Sequence, residues 1–132
     1  MKEPERQHLA TGKWGERTAA RFLKRKRYRI LGLRVRVGVR GEIDIIARQG
    51  DVLVFVEVKT RGSEAFGRPL AAVDRRKRRV LSRAAVRYLA KLRNPRVLFR
   101  FDVVEVIGNA RDRNPEIRHI ENAFVLDRRY SL

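Results

Sequence analysis

Apolar and polar positions change period several times along the chain, and each change marks an element. From Thr11 to Tyr28, Glu16, Ala19, Ala20 and Leu23 recur at i, i+3, i+4 and i+7 among lysines and arginines, which predicts a helix. Alternation from Arg29 to Val37 predicts a first strand, turned by the "GVRG" at 38–41. Two more strands follow, Glu42 to Arg48 and Val52 to Arg61, split at "QGD". Beyond the polar loop "GSEAFGRP" a second helical pattern runs to about Leu92. Arg96 to Ile107 reads as a strand, "GNARDRNP" as a loop, and "EIRHIENAFVL" as a short last strand and tail. The order αβββαββ predicts an α/β three-layer sandwich, a central mixed β-sheet flanked by helices. At 132 residues the chain holds one domain, placed at 12–121 between tails at 1–11 and 122–132.

Gly50 and Asp51 suit the two-residue loop of a type II′ hairpin, which pairs Gln49 with Val52 and sets the register. Asp44 then faces Glu57, and Glu42 faces Lys59. By the two-residue period, Ile43, Ile45, Ala47, Val52, Val54, Val56 and Val58 share one face, which is core. The other face carries Glu42, Asp44, Glu57, Lys59 and Arg61 toward one end and Ile46, Leu53 and Phe55 toward the other. Like charges directly opposed on a sheet cost a few tenths to about 1 kcal/mol, so Asp44 against Glu57 asks for compensation. Mg²⁺ or Mn²⁺ supplies it, since such a cation takes one or two protein carboxylates and fills its other positions with water and phosphate oxygens. Lys59, two residues from Glu57 on the same face, is placed to orient a water or stabilise a charged phosphorane. The competing reading is a solvated sheet face on which Glu42 pairs with Lys59. Glu16, a carboxylate on the apolar face of the first helix, tips the balance toward one shared site.

Charge adds a partner. With 33 Lys plus Arg against 15 Asp plus Glu the net charge is +18 and the sequence pI 11.6, so the surface attracts polyanions and gains affinity by releasing their counterions. In the second helix Arg79, Arg83, Arg87 and Lys91 recur at i+4 as a basic stripe, opposite Leu81, Ala84, Ala85, Tyr88, Leu89 and Leu92. Together with Arg75 and Arg76 of "DRRKRR" it reads as a DNA phosphate track, where the bland reading is a solvated helix face. Lys77 falls on the core-facing side of that helix's first turn, within reach of the acids. Thr60 and Arg61 either hold the scissile phosphate or finish a strand. Asp102 is expected to pair with a neighbouring arginine rather than a metal. Trp14 and Phe66 are able to stack on an unpaired base, although a core role is commoner for both.

Other chemistries drop out. Without cysteine there is no disulfide, thiolate zinc site or cysteine nucleophile. His8 and His119 lie far apart with no metal-ligand spacing, so a solvated or edge-strand role is expected for each. No apolar run approaches the roughly 18 residues a membrane span needs, and no apolar stretch follows "MKEPERQ" as in a secretory signal. A cytoplasmic, nucleoid-associated protein is expected, with no membrane partner.

The blocks "GERTAARFL", "GEIDIIA", "VFVEVKTR", "FGRPLAAVDRRKRRVLSRAAVRYL", "FRFDVVEV" and "ENAF" cover most of the chain in order. In these the sequence resembles the YraN-like bacterial family within the PD-(D/E)XK nuclease superfamily, on its Holliday-junction-resolvase-like branch. The resemblance implies a restriction-endonuclease-like fold with Asp44 and Glu57 as ligands of Mg²⁺ or Mn²⁺, Lys59 as the catalytic lysine, and Glu16 as the glutamate of helix one. Glu42 becomes a site neighbour. It further implies a homodimer that hydrolyses DNA phosphodiesters, with branched DNA as substrate. Two other readings stand beside it: a non-catalytic DNA-binding or scaffold protein on the same fold, and a nuclease whose natural substrate is RNA.

Overall fold

A computed structural model describes residues 3–63, 73–93 and 96–127 of the chain. The elements are α1 (Glu3–Arg25), β1 (Arg29–Val37), β2 (Gly41–Gln49), β3 (Val52–Arg61), α2 (Arg75–Ala90), β4 (Leu98–Ile107) and β5 (Glu116–Phe124). This is the predicted αβββαββ order. Two boundaries move outward. The helix already runs at Glu3, ahead of the expected start at Thr11, and the last strand reaches Phe124, whose ring stacks on Phe101 at 4.7 Å between centroids.

The helix α1 stops where Arg27 adopts a left-handed backbone (φ 69°) and the Tyr28 N–H reaches back to the Leu23 carbonyl at 2.9 Å. That six-to-one bond closes a Schellman-type end and turns the chain into β1. At the start of α2 the Asp74 carboxylate accepts the Lys77 N–H at 2.8 Å, capping an otherwise unpaired donor.

The five strands lie in the order β1-β2-β3-β4-β5, antiparallel except for β3 against β4. Parallel neighbours need a long crossover, and the segment containing α2 supplies it. Helices therefore cover both faces, and the central strand β3 is apolar on both sides. Under α1, Ile45, Ala47, Val54, Val56, Val104 and Val106 pack against Trp14, Ala19, Ala20 and Leu23. Under α2, Ile46, Leu53, Phe55, Phe101 and Val103 pack against Leu81, Ala84 and Ala85.

The hairpin keeps the predicted register from Gln49–Val52 to Ile45–Val56, and there the ladder stops. Ile43 packs in the α2-side core with Val37 and Ala84, so the expected single face holding both Ile43 and Ile45 does not form. Strict alternation requires a continuous ladder, and β2 has left β3 by that point. On its other edge β3 pairs with β4 along its whole length, from Val52–Leu98 to Arg61–Ile107, so beyond Val56 it keeps only that neighbour. The divergence of β2 from β3 opens the sheet just where the acids lie.

Candidate active site

Strands that part leave backbone donors without partners, and a buried unpaired N–H costs roughly 1–3 kcal/mol. Here Asp44 fills the gap: its Oδ2 accepts the Val58 N–H at 2.8 Å. Continued pairing would have set Val58 opposite Ile43. The side chain of Asp44 thus takes over from the ladder and holds the carboxylate beside Glu57.

Both acids are deep. Burial, reinforced by the charges of Glu16 and Glu42, pushes the Asp44 carboxyl above the usual carboxylate range, against the pull of the Val58 N–H and Lys77. Burial and then the neighbouring Asp44 lift the Glu57 carboxyl to about 7, with Lys77 and Lys59 opposing. Lys77 Nζ stands 3.8 Å from Glu57 Oε1, which places this lysine where its helical position predicted. The other Glu57 oxygen, Oε2, is buried and makes no hydrogen bond. An anion-bearing oxygen in that state is an acceptor awaiting a proton or a cation.

The other predicted site residues fall in two groups. Glu16 lies on α1 with its carboxylate bound to the guanidinium of Arg34, close enough for its charge to bear on Asp44. Arg34 holds a left-handed backbone (φ 49°) in β1, which carries its side chain to Glu16. Lys59 is half-buried, and its charge lowers the Glu57 carboxyl. Glu42, however, is exposed and set opposite Arg36 of β1, so the expected pairing with Lys59 is absent. The cause is again the parting of β2 from β3. Thr60 finishes β3, one of the two roles open to it. Its hydroxyl lies under α1, 2.0 Å from where a side chain on Gly15 would begin, so it faces away from the acids. Phe66 falls outside the described residues, and Trp14 is buried against the α1-side core.

Two participants were missed by sequence reasoning. Glu105, fully buried on β4 and in register with Lys59, accepts from Arg61 Nη1 at 3.2 Å and from Arg118 Nη1 at 3.3 Å. Its one sequence signal was an acid inside the apolar run "FDVVEVI". Arg40, in the β1–β2 turn, joins Arg76, Arg83 and Arg87 of α2 around a cavity of about 250 Å³. Arg79 and Lys91, counted on the same stripe, do not line it, and Arg75 lies exposed at the first position of α2.

Asp102 offers a control inside the same protein. It is fully buried, where Asp44 is half-buried, and it too takes a backbone N–H, that of Asn122 at 3.0 Å, where the β4–β5 register slips. Arg100 Nε also donates to it at 2.9 Å, as expected for a structural pair, and His119 Nε2 lies 2.7 Å away. Burial alone would raise this carboxyl, but the hydrogen bonds of His119, Arg100 and Asn122 outweigh it and hold it low. His119 does sit on an edge strand, yet its side chain is only 3% exposed, so it is not solvated. Two aspartates at two ladder breaks therefore shift in opposite directions: three hydrogen-bond partners hold Asp102 low, and burial with one backbone donor leaves Asp44 high.

The sequence profile described as Uncharacterised protein family UPF0102 matches residues 15–106, which contain Glu16, Asp44, Glu57, Lys59 and Glu105. The chain belongs to the UPF0102 family. This is the YraN-like family that the sequence blocks resemble. A UPF0102 protein of Chlorobaculum tepidum is 45% identical over 87% of this chain and 92% of its own length. One of Syntrophotalea carbinolica is 44% identical over 92% and 96%, and one of Geobacter metallireducens 46% identical over 87% and 92%. Among the described residues of this UPF0102 chain, no helix is long and apolar enough to cross a membrane.

Proposed function

We propose that the chain is a Mg²⁺- or Mn²⁺-dependent nuclease that hydrolyses DNA phosphodiester bonds, with branched DNA as its preferred form. The observation that carries this reading is the buried, unpartnered Oε2 of Glu57 beside a second carboxylate, Asp44, which burial holds above its usual range. Among the described residues no group of three acids or histidines converges, so the protein offers two carboxylates and leaves other positions to water and phosphate. That donor set fits a hard cation of the magnesium type and not a closed zinc site. When bound, the cation supplies Lewis acidity toward the phosphate and a water of lowered pKa.

The chain's own groups do the rest. Asp44 is fixed by the Val58 N–H and Glu57 is steadied by Lys77, so both carboxylates are held before substrate arrives. Lys59, one strand repeat beyond Glu57, holds positive charge where a phosphorane would develop. Arg61 is kept in place by Glu105 and presents its guanidinium to a phosphate oxygen on the same face. The first turn of α2 contains no acid, although cations there oppose the helix dipole at about 0.3–1 kcal/mol each. Arg75, Arg76, Lys77, Arg78 and Arg79 build there a positive field that favours a polyanion.

The test is cleavage of a labelled four-way junction, flap, single strand and linear duplex in Mg²⁺, Mn²⁺ or EDTA. Wild type should cut only with metal, and Asp44→Asn and Glu57→Gln should each lose at least a hundredfold in rate while still binding DNA. Cutting in EDTA, or full activity in either variant, sinks the assignment. Binding without cutting of any form points instead to a DNA-binding scaffold, and better cutting of a matched RNA replaces DNA as the substrate.

A further inference from the structure

A second cationic cavity, of about 300 Å³, lies in the opposite layer from the α2 arginines, between α1 and the loop that joins β4 to β5. The wall on α1 is made by Trp14, Thr18, Arg21, Phe22 and Arg25, and Arg113 closes it from the loop. The helical spacing of 14, 18, 21, 22 and 25 puts these side chains along one flank of α1. Arg21, Arg25 and Arg113 form no ion pair with an acid among the described residues. The acid nearby, Asp112, is committed to the loop, where its Oδ2 accepts the Asn109 N–H at 2.7 Å.

Two further features show that the cavity is more than an accident of charge. In the α1 wall the Thr18 hydroxyl is buried and makes no hydrogen bond, a state that costs roughly 1–3 kcal/mol. The half-buried Phe22 ring and the edge of Trp14, which is 7% exposed, line the cavity beside the cations, and bases stack on aromatic surface at about 1–3 kcal/mol each. Guanidinium groups, a hydroxyl and aromatic rings around a space of this size match a phosphate that carries a flat ring. A duplex keeps its bases stacked inside, so a base reaches such a cavity only from an unpaired strand.

The location ties the cavity to the candidate active site. Because β3 and β4 run parallel, the loop after Ile107 leaves the sheet at the end that bears Glu57, Lys59 and Arg61. The start of the α1 wall packs there as well, with Gly15 against Thr60. We infer that this cavity seats an unpaired nucleotide of the DNA strand, with its phosphate on Arg21, Arg25 and Arg113 and its base beside Trp14 and Phe22. The inference rests on the nuclease reading and adds its specificity: DNA that brings a single-stranded nucleotide to the α1 side is favoured over continuous duplex.

Trp14 is the one tryptophan of the chain, so its emission reports on the cavity directly. The experiment titrates the full-length protein in EDTA, where no metal-dependent cutting occurs, with an oligothymidylate of about eight nucleotides, with thymidine monophosphate and with blunt duplex. Fluorescence anisotropy of labelled DNA measures total binding in parallel. The oligothymidylate should change Trp14 emission saturably, and duplex should bind without that change. Arg21→Ala/Arg113→Ala, and separately Thr18→Val, should weaken the emission response at least threefold. Arg83→Ala/Arg87→Ala should weaken duplex binding and leave the Trp14 response at saturation in place. An unchanged Trp14 signal on strand binding, an equal response to duplex, or monophosphate binding as tightly as the strand would each overturn the inference. A surviving Trp14 response in a protein that cuts nothing removes the nuclease reading and keeps the cavity; metal-dependent cutting without the response does the reverse.

Discussion

The Asp44 carboxylate accepts the Val58 N–H at 2.8 Å and so replaces a rung of the β2–β3 ladder with a side chain. This bond anchors an acid at the opening of the sheet, next to Glu57, where two half-buried carboxylates stand together and one Glu57 oxygen has no donor.

Stability should therefore fall with rising pH in metal-free solution. The Glu57 carboxyl stands at about 7 in the fold against an ordinary 4.5, so between those values the folded state holds a proton that the unfolded state has released. Unfolding then releases protons, and stability drops as pH rises through that window, by on the order of 3 kcal/mol when it is crossed fully. Asp44 shifts in the same direction. Urea unfolding in EDTA should give a lower midpoint at pH 7.5 than at pH 5.5, with the slope flattened in Glu57→Gln. Saturating Mn²⁺ at a hundred times its Kd should return about 2.7 kcal/mol to wild type and nothing to Glu57→Gln. A wild-type midpoint that changes with pH no more than that of the variant contradicts the arrangement.

Glu105 should matter as much for the fold as for the site. It is fully buried between the guanidinium groups of Arg61 and Arg118, and breaking a buried pair on one side leaves uncompensated charge. Both arginines retain some exposure, which lets them relax toward water, so Glu105→Gln is expected to cost about 2–3 kcal/mol, at the lower end for such changes. Chemical denaturation measures it; a loss under about 0.5 kcal/mol, the scale of an ordinary surface change, would show that the pair is not needed.

Gly15 holds α1 against β3 by lacking a side chain. A Cβ there would lie 2.0 Å from Thr60 Oγ1 and 3.1 Å from its Cβ. Alanine normally gains up to about 1 kcal/mol over glycine inside a helix, whereas overpacking costs about 1–3 kcal/mol. The clash should win, making Gly15→Ala destabilising on its own. Adding Thr60→Ala removes the hydroxyl in the way and should recover most of the loss, an interaction energy that a double-mutant cycle reads directly.

The arginines around the α2 cavity should act through phosphate contacts. Each of Arg40, Arg76, Arg83 and Arg87 changed to alanine is expected to reduce the slope of log K against log salt by up to about 0.9 on duplex DNA, independent of sequence. Arg75→Ala, outside the cavity, should have a smaller effect. Equal slopes for all five variants and wild type would dissociate this cavity from DNA binding.

Much of the architecture was legible without coordinates because it is local. A two-residue loop at Gly50 and Asp51 determines the start of the hairpin, and period alone separates helices from strands, so the αβββαββ order and the register from Gln49 to Ile45 follow from the sequence. The presence of Asp44, Glu57 and Lys59 at one end of that hairpin follows from the same counting. The approach of Lys77 to the acids was reachable too, from its place in the first turn of α2, although its side chain stays largely exposed.

What only the tertiary structure decided involves segments distant along the chain. The ladder ends at Ile45 because β2 packs onward with β1 and α2 while β3 stays with β4, and no local pattern encodes that choice. From it follow the exposure of Glu42, the move of Ile43 to the other core and the side-chain bond of Asp44. Thr60 faces α1 because Gly15 admits it, Glu105 meets arginines from β3 and β5, and Arg40 joins α2 across the sheet. The sequence by itself determined which chemical groups are available and on which strands; long-range packing decided which of them are left unsatisfied, because burial and partner count are properties of the whole fold.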